Sequence, residues 1–213
     1  MTRSTVPAPA RTDGLARRAV LPVLILAAVV VTVVVPQFFP PGGGSTGFDR
    51  VLEQHIHSAF DAHRTVLRVL VFPSDSPFVI AMLVVSAGWF AYRRQWWQAG
   101  FALVAPELAV AVNSFLLKPF WERKLDHYLA YPSGHTVQLV AVVTAFALAS
   151  ESVRTRVTVA VIMVVVLPAV TIGMVGFGYH HPTDVIGGTA AAFALVSAMY
   201  LLFIRVRTAR SPQ

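Results

Sequence analysis

The sequence predicts an all-α integral membrane protein, built as one bundle of six spanning helices. Of its 213 residues, 56% are hydrophobic and only 13% are charged. Apolar stretches close to the ~20 residues that cross a bilayer as a helix recur along the chain. No internal repeat or long linker divides them. The predicted spans are residues 19–36, 77–92, 97–117, 136–150, 157–175 and 185–204.

One membrane domain, residues 17–207, accounts for almost the whole chain. Residues 1–16 are rich in Pro, Ala, Thr and Arg and predict a disordered cytoplasmic tail. Residues 208–213 predict a second cytoplasmic tail. The first apolar run is longer than a signal-peptide core and lacks a small-x-small cleavage site, so it is expected to remain as an anchor.

Arginines predict the topology, because positive charge in short loops is retained on the cytoplasmic side. They precede the first span, join spans two and three, join spans four and five, and follow span six. Both termini are therefore expected in the cytoplasm. The loops at 118–135 and 176–184 are expected outside, and all seven histidines lie in the outer segments or at their rims. The arginines concerned are Arg17, Arg18, Arg93, Arg94, Arg154, Arg156, Arg205, Arg207 and Arg210.

Between the first two spans, residues 48–70 place apolar side chains at helical spacing with charges between them. This pattern predicts an amphipathic helix on the outer surface. It is compatible with a segment that packs on the bundle and with one that guides a lipid substrate.

The net charge of +7 does not indicate nucleic-acid binding, since most arginines lie next to spans, where they contact anionic headgroups. The chain has no cysteine, which excludes disulfides, thiol catalysis and cysteine-ligated metal. Small size and a bias toward Ala, Val and Arg over Lys favour a bacterial plasma membrane.

The segment Pro132-Ser133-Gly134-His135 stands at the predicted start of span four. A helix N-terminus presents free backbone N–H groups and the positive end of its dipole, which together bind anions. Ser133 adds a hydroxyl, Gly134 lets an oxyanion approach the backbone, and His135 could protonate a leaving oxygen. The same tetrapeptide is also compatible with a capped helix start alone.

The segment before span six contains His180 and, four residues later, Asp184. That separation is about one helical turn, so the carboxylate can orient the imidazole. The other ring nitrogen is then free to act as a nucleophile. A helix cap with a nearby polar residue is the alternative.

The two lysines of the chain, Lys118 and Lys124, lie in one predicted outer loop with Arg123. A lysine ammonium and an arginine fork suit different oxygens of one phosphate. Snorkelling at the membrane interface explains a single cation, but not a cluster beside two histidine motifs.

In order, Lys-Pro-x-x-x-Arg, Pro-Ser-Gly-His and His-x-Pro-Thr-Asp resemble the motifs of the type 2 phosphatidic acid phosphatase and vanadium haloperoxidase superfamily, in its membrane lipid phosphatase branch. The likeness covers about residues 118–188. It implies a metal-independent phosphatase in which His180, oriented by Asp184, becomes phosphorylated while His135 is the acid and then the base. By the same resemblance, the phosphate ligands are Lys118, Arg123, Ser133 and Gly134.

The chain departs from the family pattern in two places. The family usually has about six residues between the lysine and an Arg-Pro pair, whereas four separate Lys118 from Arg123. The family also carries Ser-Arg shortly before the nucleophilic histidine, where this chain has Gly173 and Met174. Lys124 is a further candidate for the missing cation, as are Arg64 and Arg68.

The sequence therefore predicts a lipid phosphatase that needs no metal or other cofactor. Its expected substrate is a lipid phosphomonoester or pyrophosphate, such as a prenyl pyrophosphate or a phosphatidic acid-like lipid, cleaved at the extracytoplasmic face. The alternative is a noncatalytic lipid-phosphate binder or carrier with a degenerate site. The expected partners of the protein are the substrate lipid and the bilayer, with no nucleic acid. No feature of the sequence specifies an oligomeric state.

Overall fold

The computed structural model describes residues 12–209, and the side chains of residues 20–207. This part of the chain is mostly helical. Short 3₁₀ turns follow α1 (Val35–Phe38) and α3 (Phe72–Ser74), and a π-helical segment, Asn113–Leu117, joins α5 to α6. The α-helices are α1 Thr12–Val34, α2 Gly47–Phe60, α3 Arg64–Val71, α4 Ser76–Tyr92, α5 Trp96–Val112, α6 Lys118–Trp121, α7 Gly134–Ala149, α8 Val153–Gly176 and α9 Pro182–Ala209.

A small antiparallel hairpin interrupts the otherwise helical chain. Strand β1 (Lys124–Leu125) pairs with β2 (Tyr128–Leu129), with Lys124 opposite Leu129 and Leu125 opposite Tyr128. The all-α prediction did not include this hairpin. Each strand has two residues, which is too short for the alternating pattern that predicts a strand.

Five helical segments among the described residues are long and apolar enough to cross a membrane, where six spans were predicted. The other apolar helix, α7, has 16 residues, or about 24 Å, less than the ~30 Å hydrocarbon core. Helix α7 packs between α5 and α9 inside the bundle, so protein surrounds much of its length. The five long segments are Val20–Phe38, Arg64–Tyr92, Trp96–Trp121, Val153–Gly176 and Pro182–Arg207.

The predicted tails overlap the ends of two helices. Helix α1 already begins at Thr12, within the predicted tail 1–16, and α9 continues to Ala209, within the predicted tail 208–213. The remaining residues of both predicted tails lie outside the described residues.

Alanine is the commonest residue of the hydrophobic core in the described part of the chain, and small side chains let helix axes approach closely inside a membrane. One buried cluster joins α5, α7 and α9, and a second joins α4, α7 and α8. Helix α7 contributes to both clusters. The alanines of the first cluster are Ala102, Ala105, Ala109, Ala141, Ala145, Ala149 and Ala192.

The predicted surface helix 48–70 is two helices, α2 and α3, because the backbone leaves the helical region at His63 (φ −117°, ψ 51°). Helix α3 lies directly on α8. A Cβ added at Gly173 would stand 2.6 Å from the backbone nitrogen of Val71, and one at Gly176 would stand 2.5 Å from the side chain of Leu67. The two glycines therefore permit this contact.

Candidate active site

The starts of α7 and α9 meet, which brings the second and third sequence motifs together. The backbone N–H of Ser133 donates to the carbonyl oxygen of Asp184 at 3.0 Å. Close approach depends on two glycines of α9. A Cβ on Gly188 would lie 2.8 Å from the carbonyl oxygen of Ser133, and one on Gly187 would lie 2.0 Å from the ring of Tyr131. Segments about 50 residues apart in sequence thus form one site.

The two histidines predicted to share the chemistry face each other at this junction. The rings of His135 and His180 are 5.8 Å apart between centroids, in an edge-to-face arrangement. His180 is buried, whereas His135 is half-buried. The structure therefore places one imidazole deep in the site and the other at its open side.

Asp184 lies beside the inner ring nitrogen of His180, as its position one turn later predicts. The distance from His180 Nδ1 to Asp184 Oδ2 is 3.6 Å, slightly longer than a hydrogen bond. Among the described residues, Nδ1 is buried without a hydrogen-bond partner. Catalytic hydrogen bonds are often long without a ligand. Because Nδ1 faces the carboxylate, Nε2 is the nitrogen free to react.

Lys118, the first residue of α6, extends to the same junction of α7 and α9. Its ammonium donates to the carbonyl oxygen of Leu129 in the hairpin, and its Cε lies 3.8 Å from where a Cβ on Gly134 would stand. An ammonium has three donors, and in the described part of the chain only this one acceptor is bonded to it. Lys118 therefore retains donors for a ligand at the start of α7.

Arg123, the second predicted phosphate-binding cation, is only 1% exposed and makes its bonds within the protein. A guanidinium has five N–H donors, and the five hydrogen bonds of Arg123 to protein acceptors match that number. It also lies 3.8 Å above the ring of Phe39. Direct binding of phosphate by Arg123 stays a prediction. The acceptors are Gly43 O (2.9 Å from Nε), Thr183 Oγ1 and Asp184 Oδ1 (2.6 and 2.7 Å from Nη1), and Gly44 O and Asp49 Oδ2 (both 3.0 Å from Nη2).

Ser133 and Gly134 form the start of α7. The Ser133 hydroxyl caps the helix, accepting from the backbone N–H of Thr136 at 3.4 Å and from the Thr136 hydroxyl at 3.1 Å. Gly134 is the first residue of the helix, where the backbone N–H groups have no partner within the helix. The predicted anion site thus has backbone N–H donors beside Lys118. The Ser133 hydroxyl is engaged in capping α7.

Met174 fills the position at which the family pattern has an arginine. It is fully buried, and its sulfur lies 3.8 Å from Ser133 Oγ and 3.9 Å from Thr136 Oγ1. Neither of two suggested replacement cations contacts Met174: Lys124 is exposed on β1, and Arg64 lies over the ring of Phe177 at 5.8 Å. A neutral thioether therefore packs against the capping hydroxyls.

Aromatic side chains that the motifs did not indicate surround the histidines. The Tyr128 ring lies 6.0 Å from that of His180, and its hydroxyl donates to the carbonyl oxygen of Tyr179. The Tyr179 ring stacks on His135 at 6.2 Å. Burial, and then the negative charge of Asp184, raise the pKa of Tyr128, so its hydroxyl remains a donor. Tyr128 and Tyr179 lie in loops without hydropathy periodicity, so the sequence analysis did not predict that they would contact the histidines.

Asp49 of α2 is a second site residue that the sequence analysis did not identify. It is fully buried and contacts Thr183 and Arg123. Burial on its own would raise the pKa of Asp49, but hydrogen bonds from Thr46, Thr183 and Arg123 outweigh it and lower the pKa below its usual value. The capping box of Thr46 and Asp49 was visible in the sequence, but nothing there indicated its distant partners.

Among the side chains of residues 20–207, no three His, Asp or Glu residues are arranged to hold a metal ion. The site residues described above include two imidazoles, the buried carboxylates of Asp49 and Asp184, and the cations Lys118 and Arg123.

An apolar cavity of about 550 Å³ opens between α4, α7 and α8. Leu139, one of its lining residues, follows His135 by one helical turn, a rise of about 6 Å. One lining residue of the cavity therefore lies within a helical turn of His135, and the others belong mainly to α4, α7 and α8. Other lining side chains are Phe78, Met82, Phe146, Val159 and Met163.

Comparison with known proteins agrees with this geometry. Residues 112–207, which carry every motif residue, match the model of the PAP2 superfamily. The fold is similar to a structure described as the first transmembrane PAP2 type phosphatidylglycerolphosphate phosphatase, from Bacillus subtilis, with a TM-score of 0.62 and 20% identity over 90% of this chain and 97% of that chain. No curated protein matches the chain in sequence. Residues 112–207 therefore resemble the PAP2 superfamily, and the fold of the chain is similar to that of a membrane phosphatase.

Proposed function

We propose that the protein hydrolyses a phosphomonoester or pyrophosphate on a membrane lipid, without a metal, through a phosphohistidine at His180. The observation that carries this proposal is the meeting of two histidines at the joined N-termini of α7 and α9. One imidazole is backed by a buried carboxylate and the other faces the open side. That pairing supplies a nucleophile and a separate proton donor.

In the first step, Nε2 of His180 attacks phosphorus and the bond to the lipid oxygen breaks. His135 gives its proton to that oxygen as it leaves. The phosphorylated ring carries positive charge, which Asp184 at 3.6 Å stabilises. In the second step, His135 accepts a proton from water, the water oxygen attacks phosphorus, and the bond to Nε2 breaks. Inorganic phosphate and the free imidazole result.

The phosphate oxygens are held at the start of α7. Backbone N–H groups around Gly134 and the ammonium of Lys118 are the donors closest to both histidines. Ser133 supports this end of the helix by capping it. Lys124, exposed on the hairpin, is a further cation for a second phosphate group of a pyrophosphate.

A lipid substrate is supported by the apolar cavity below His135. Its volume falls within the range of about 300–1,000 Å³ typical of ligand sites. An apolar chain lying there would bring its phosphate to the start of α7. Prenyl pyrophosphates and phosphatidic acid-like lipids both have this form, and the similar Bacillus subtilis protein is described as acting on phosphatidylglycerolphosphate.

The extracytoplasmic placement of the site, in a bacterial plasma membrane, rests on the arginines. The site lies where α7 and α9 begin, whereas Arg93 and Arg94 follow α4 and Arg205 and Arg207 lie near the end of α9. Arginines retained in the cytoplasm put the histidines outside. Hydrolysis would then occur on lipid that has already reached the outer leaflet.

Phosphate release by purified protein in detergent tests the proposal. The panel contains prenyl pyrophosphates and phosphatidic acid, with EDTA present throughout, beside His180→Ala and Asp184→Asn. We expect release that survives EDTA and disappears in His180→Ala. Release that EDTA abolishes, or that persists in His180→Ala, would contradict the mechanism.

A noncatalytic lipid-phosphate binder or carrier is the second candidate, and Met174 favours it. The position at which the family carries a phosphate-binding arginine is neutral and packed. Binding of the same lipids with no phosphate release from any of them would support this alternative.

A further inference from the structure

Helix α2, outside the family motifs, is tied to the catalytic carboxylate by one buried side chain, Asp49. We propose that Asp49 is a positioning residue of the phosphatase reaction, which holds Arg123 and Thr183 so that Asp184 stays beside His180. This inference rests on the proposed function. It assigns α2 a part in catalysis beyond covering the bundle.

The contacts of Asp49 converge on the third motif. Its Oδ1 accepts from the backbone N–H of Thr183 at 2.9 Å, and its Oδ2 accepts from the Thr183 hydroxyl at 2.9 Å and from Arg123 Nη2 at 3.0 Å. Oδ2 also accepts from the backbone N–H of Thr46, which caps α2. The side chains of Asp49 and Arg123 are both fully buried, so water does not compete for these bonds.

Arg123 carries the connection from Asp49 to the catalytic carboxylate. Nη2 bonds Asp49, while Nη1 bonds both the Thr183 hydroxyl and Asp184 Oδ1. The fork is planar and rigid, so fixing one end fixes the other. A shift of Asp49 would therefore move the group that orients Asp184.

Charge balance is a second way in which Asp49 would act on Asp184, since both carboxylates bond to the guanidinium of Arg123. Arg123 and Asp49 cancel, which leaves the negative charge of Asp184 for the imidazolium that forms when His180 is phosphorylated. With a neutral residue at 49, the positive charge of Arg123 would cancel Asp184 instead. Such preorganised charge is a main source of rate enhancement in a buried site.

The test compares Asp49→Asn with Asp61→Asn, a matched change at the end of the same helix. Asp61 is exposed, and its side chain pairs only with His57 among the described residues, at 2.8 Å. For each variant we would measure kcat, KM, and the number and affinity of sites for inorganic orthovanadate by equilibrium binding. We expect Asp49→Asn to lower kcat about tenfold or more, with vanadate affinity and KM within about threefold of wild type. Asp61→Asn should match wild type in all of them.

Two results would overturn the proposal without affecting the proposed function. In the first, Asp49→Asn and Asp61→Asn have the same kcat. In the second, the loss of kcat in Asp49→Asn equals its loss of vanadate sites. The second would mean that Asp49 supports folding only. If Asp49→Asn does not fold, Thr183→Val removes the hydroxyl that joins Asp49 to Arg123 but keeps the side chain's shape. Unchanged kcat in Thr183→Val would also overturn the proposal. Wild-type protein that binds vanadate but turns over no lipid would instead refute the proposed function and, with it, this role.

Discussion

The two sides of the active site are built differently. On the inner side, Asp184, Arg123 and Asp49 are fully buried, and every donor of Arg123 is bonded to protein. On the outer side, His135 and Lys118 are half-buried, and Lys118 is bonded only to a hairpin carbonyl among the described residues. Protein contacts thus fix Asp184 on the inner side, whereas Lys118 on the outer side keeps donors for a ligand.

This difference separates stability from turnover. A buried charge network loses several kcal/mol when one partner is removed, since the remaining charges stay buried without compensation. A half-buried residue that makes few bonds without a ligand contributes little to the stability of the folded protein. Substitutions on the inner side should therefore affect folding and activity together, while those on the outer side should affect activity alone.

The largest effect on turnover at constant stability should follow His135→Ala. We expect kcat to fall by about 10²–10⁴, the usual contribution of a general acid–base group, because neither the leaving oxygen nor the attacking water exchanges its proton. The melting temperature should stay near that of wild type. Initial-rate kinetics and thermal unfolding in the same detergent measure both. A large loss of stability would show that the outer side is also structural.

Arg123→Gln should have the largest effect on stability. It leaves Asp49 and Asp184 buried without their cation, so we expect a loss of about 3–5 kcal/mol, seen as a lower melting temperature. Lys118→Gln is the comparison on the outer side and should weaken orthovanadate binding with little thermal change. Equal melting temperatures for the two variants would remove the distinction between the sides.

Tyr128→Phe should have a smaller effect. It removes the hydrogen bond from the hairpin to the carbonyl of Tyr179 and keeps the ring beside His180. We expect a loss of about 0.5–1.5 kcal/mol in stability and a modest change in KM. Thermal unfolding and substrate titration test this. An unchanged KM and melting temperature would mean that this bond does not hold the hairpin over the site.

The smallest expected effect concerns pH. The pKa of Asp49 is lowered in the folded protein, so its contribution to stability is complete above its unfolded pKa, about 4. That contribution is lost as pH falls through the lowered folded value. The difference in melting temperature between wild type and Asp49→Asn should therefore be constant above about pH 5 and shrink below about pH 4. A difference that stays constant down to pH 3 would contradict this account.

The sequence predicted the motif pairs but not the contacts between distant segments. His180 and Asp184 are one turn apart, and Ser133 caps the helix that follows it, so local helical geometry is enough to predict both arrangements. Asp49 and Arg123 are 74 residues apart, and their pairing depends on how α2 folds over the start of α9. A single sequence contains no periodicity that specifies such a contact.

The predicted span count shows the same limit in the fold. Hydropathy predicted α7 as one of six spans, but it does not show that this 16-residue helix packs between α5 and α9. Arg123 was predicted as a phosphate ligand because its charge lies beside the motifs. That role stays a prediction, while the bonds of Arg123 to Asp49 and Asp184 could be seen only in three dimensions.

The most direct test of the central claim is to trap the phosphoenzyme. Purified protein would be mixed with a lipid substrate labelled in the phosphate, quenched within milliseconds, and analysed for alkali-stable, acid-labile phosphate, with wild type beside His180→Ala and His135→Ala. The account predicts label on His180 in wild type, no label in His180→Ala, and label that persists longer in His135→Ala when a good leaving group permits the first step. Turnover without any label on His180, or label retained in His180→Ala, would contradict it.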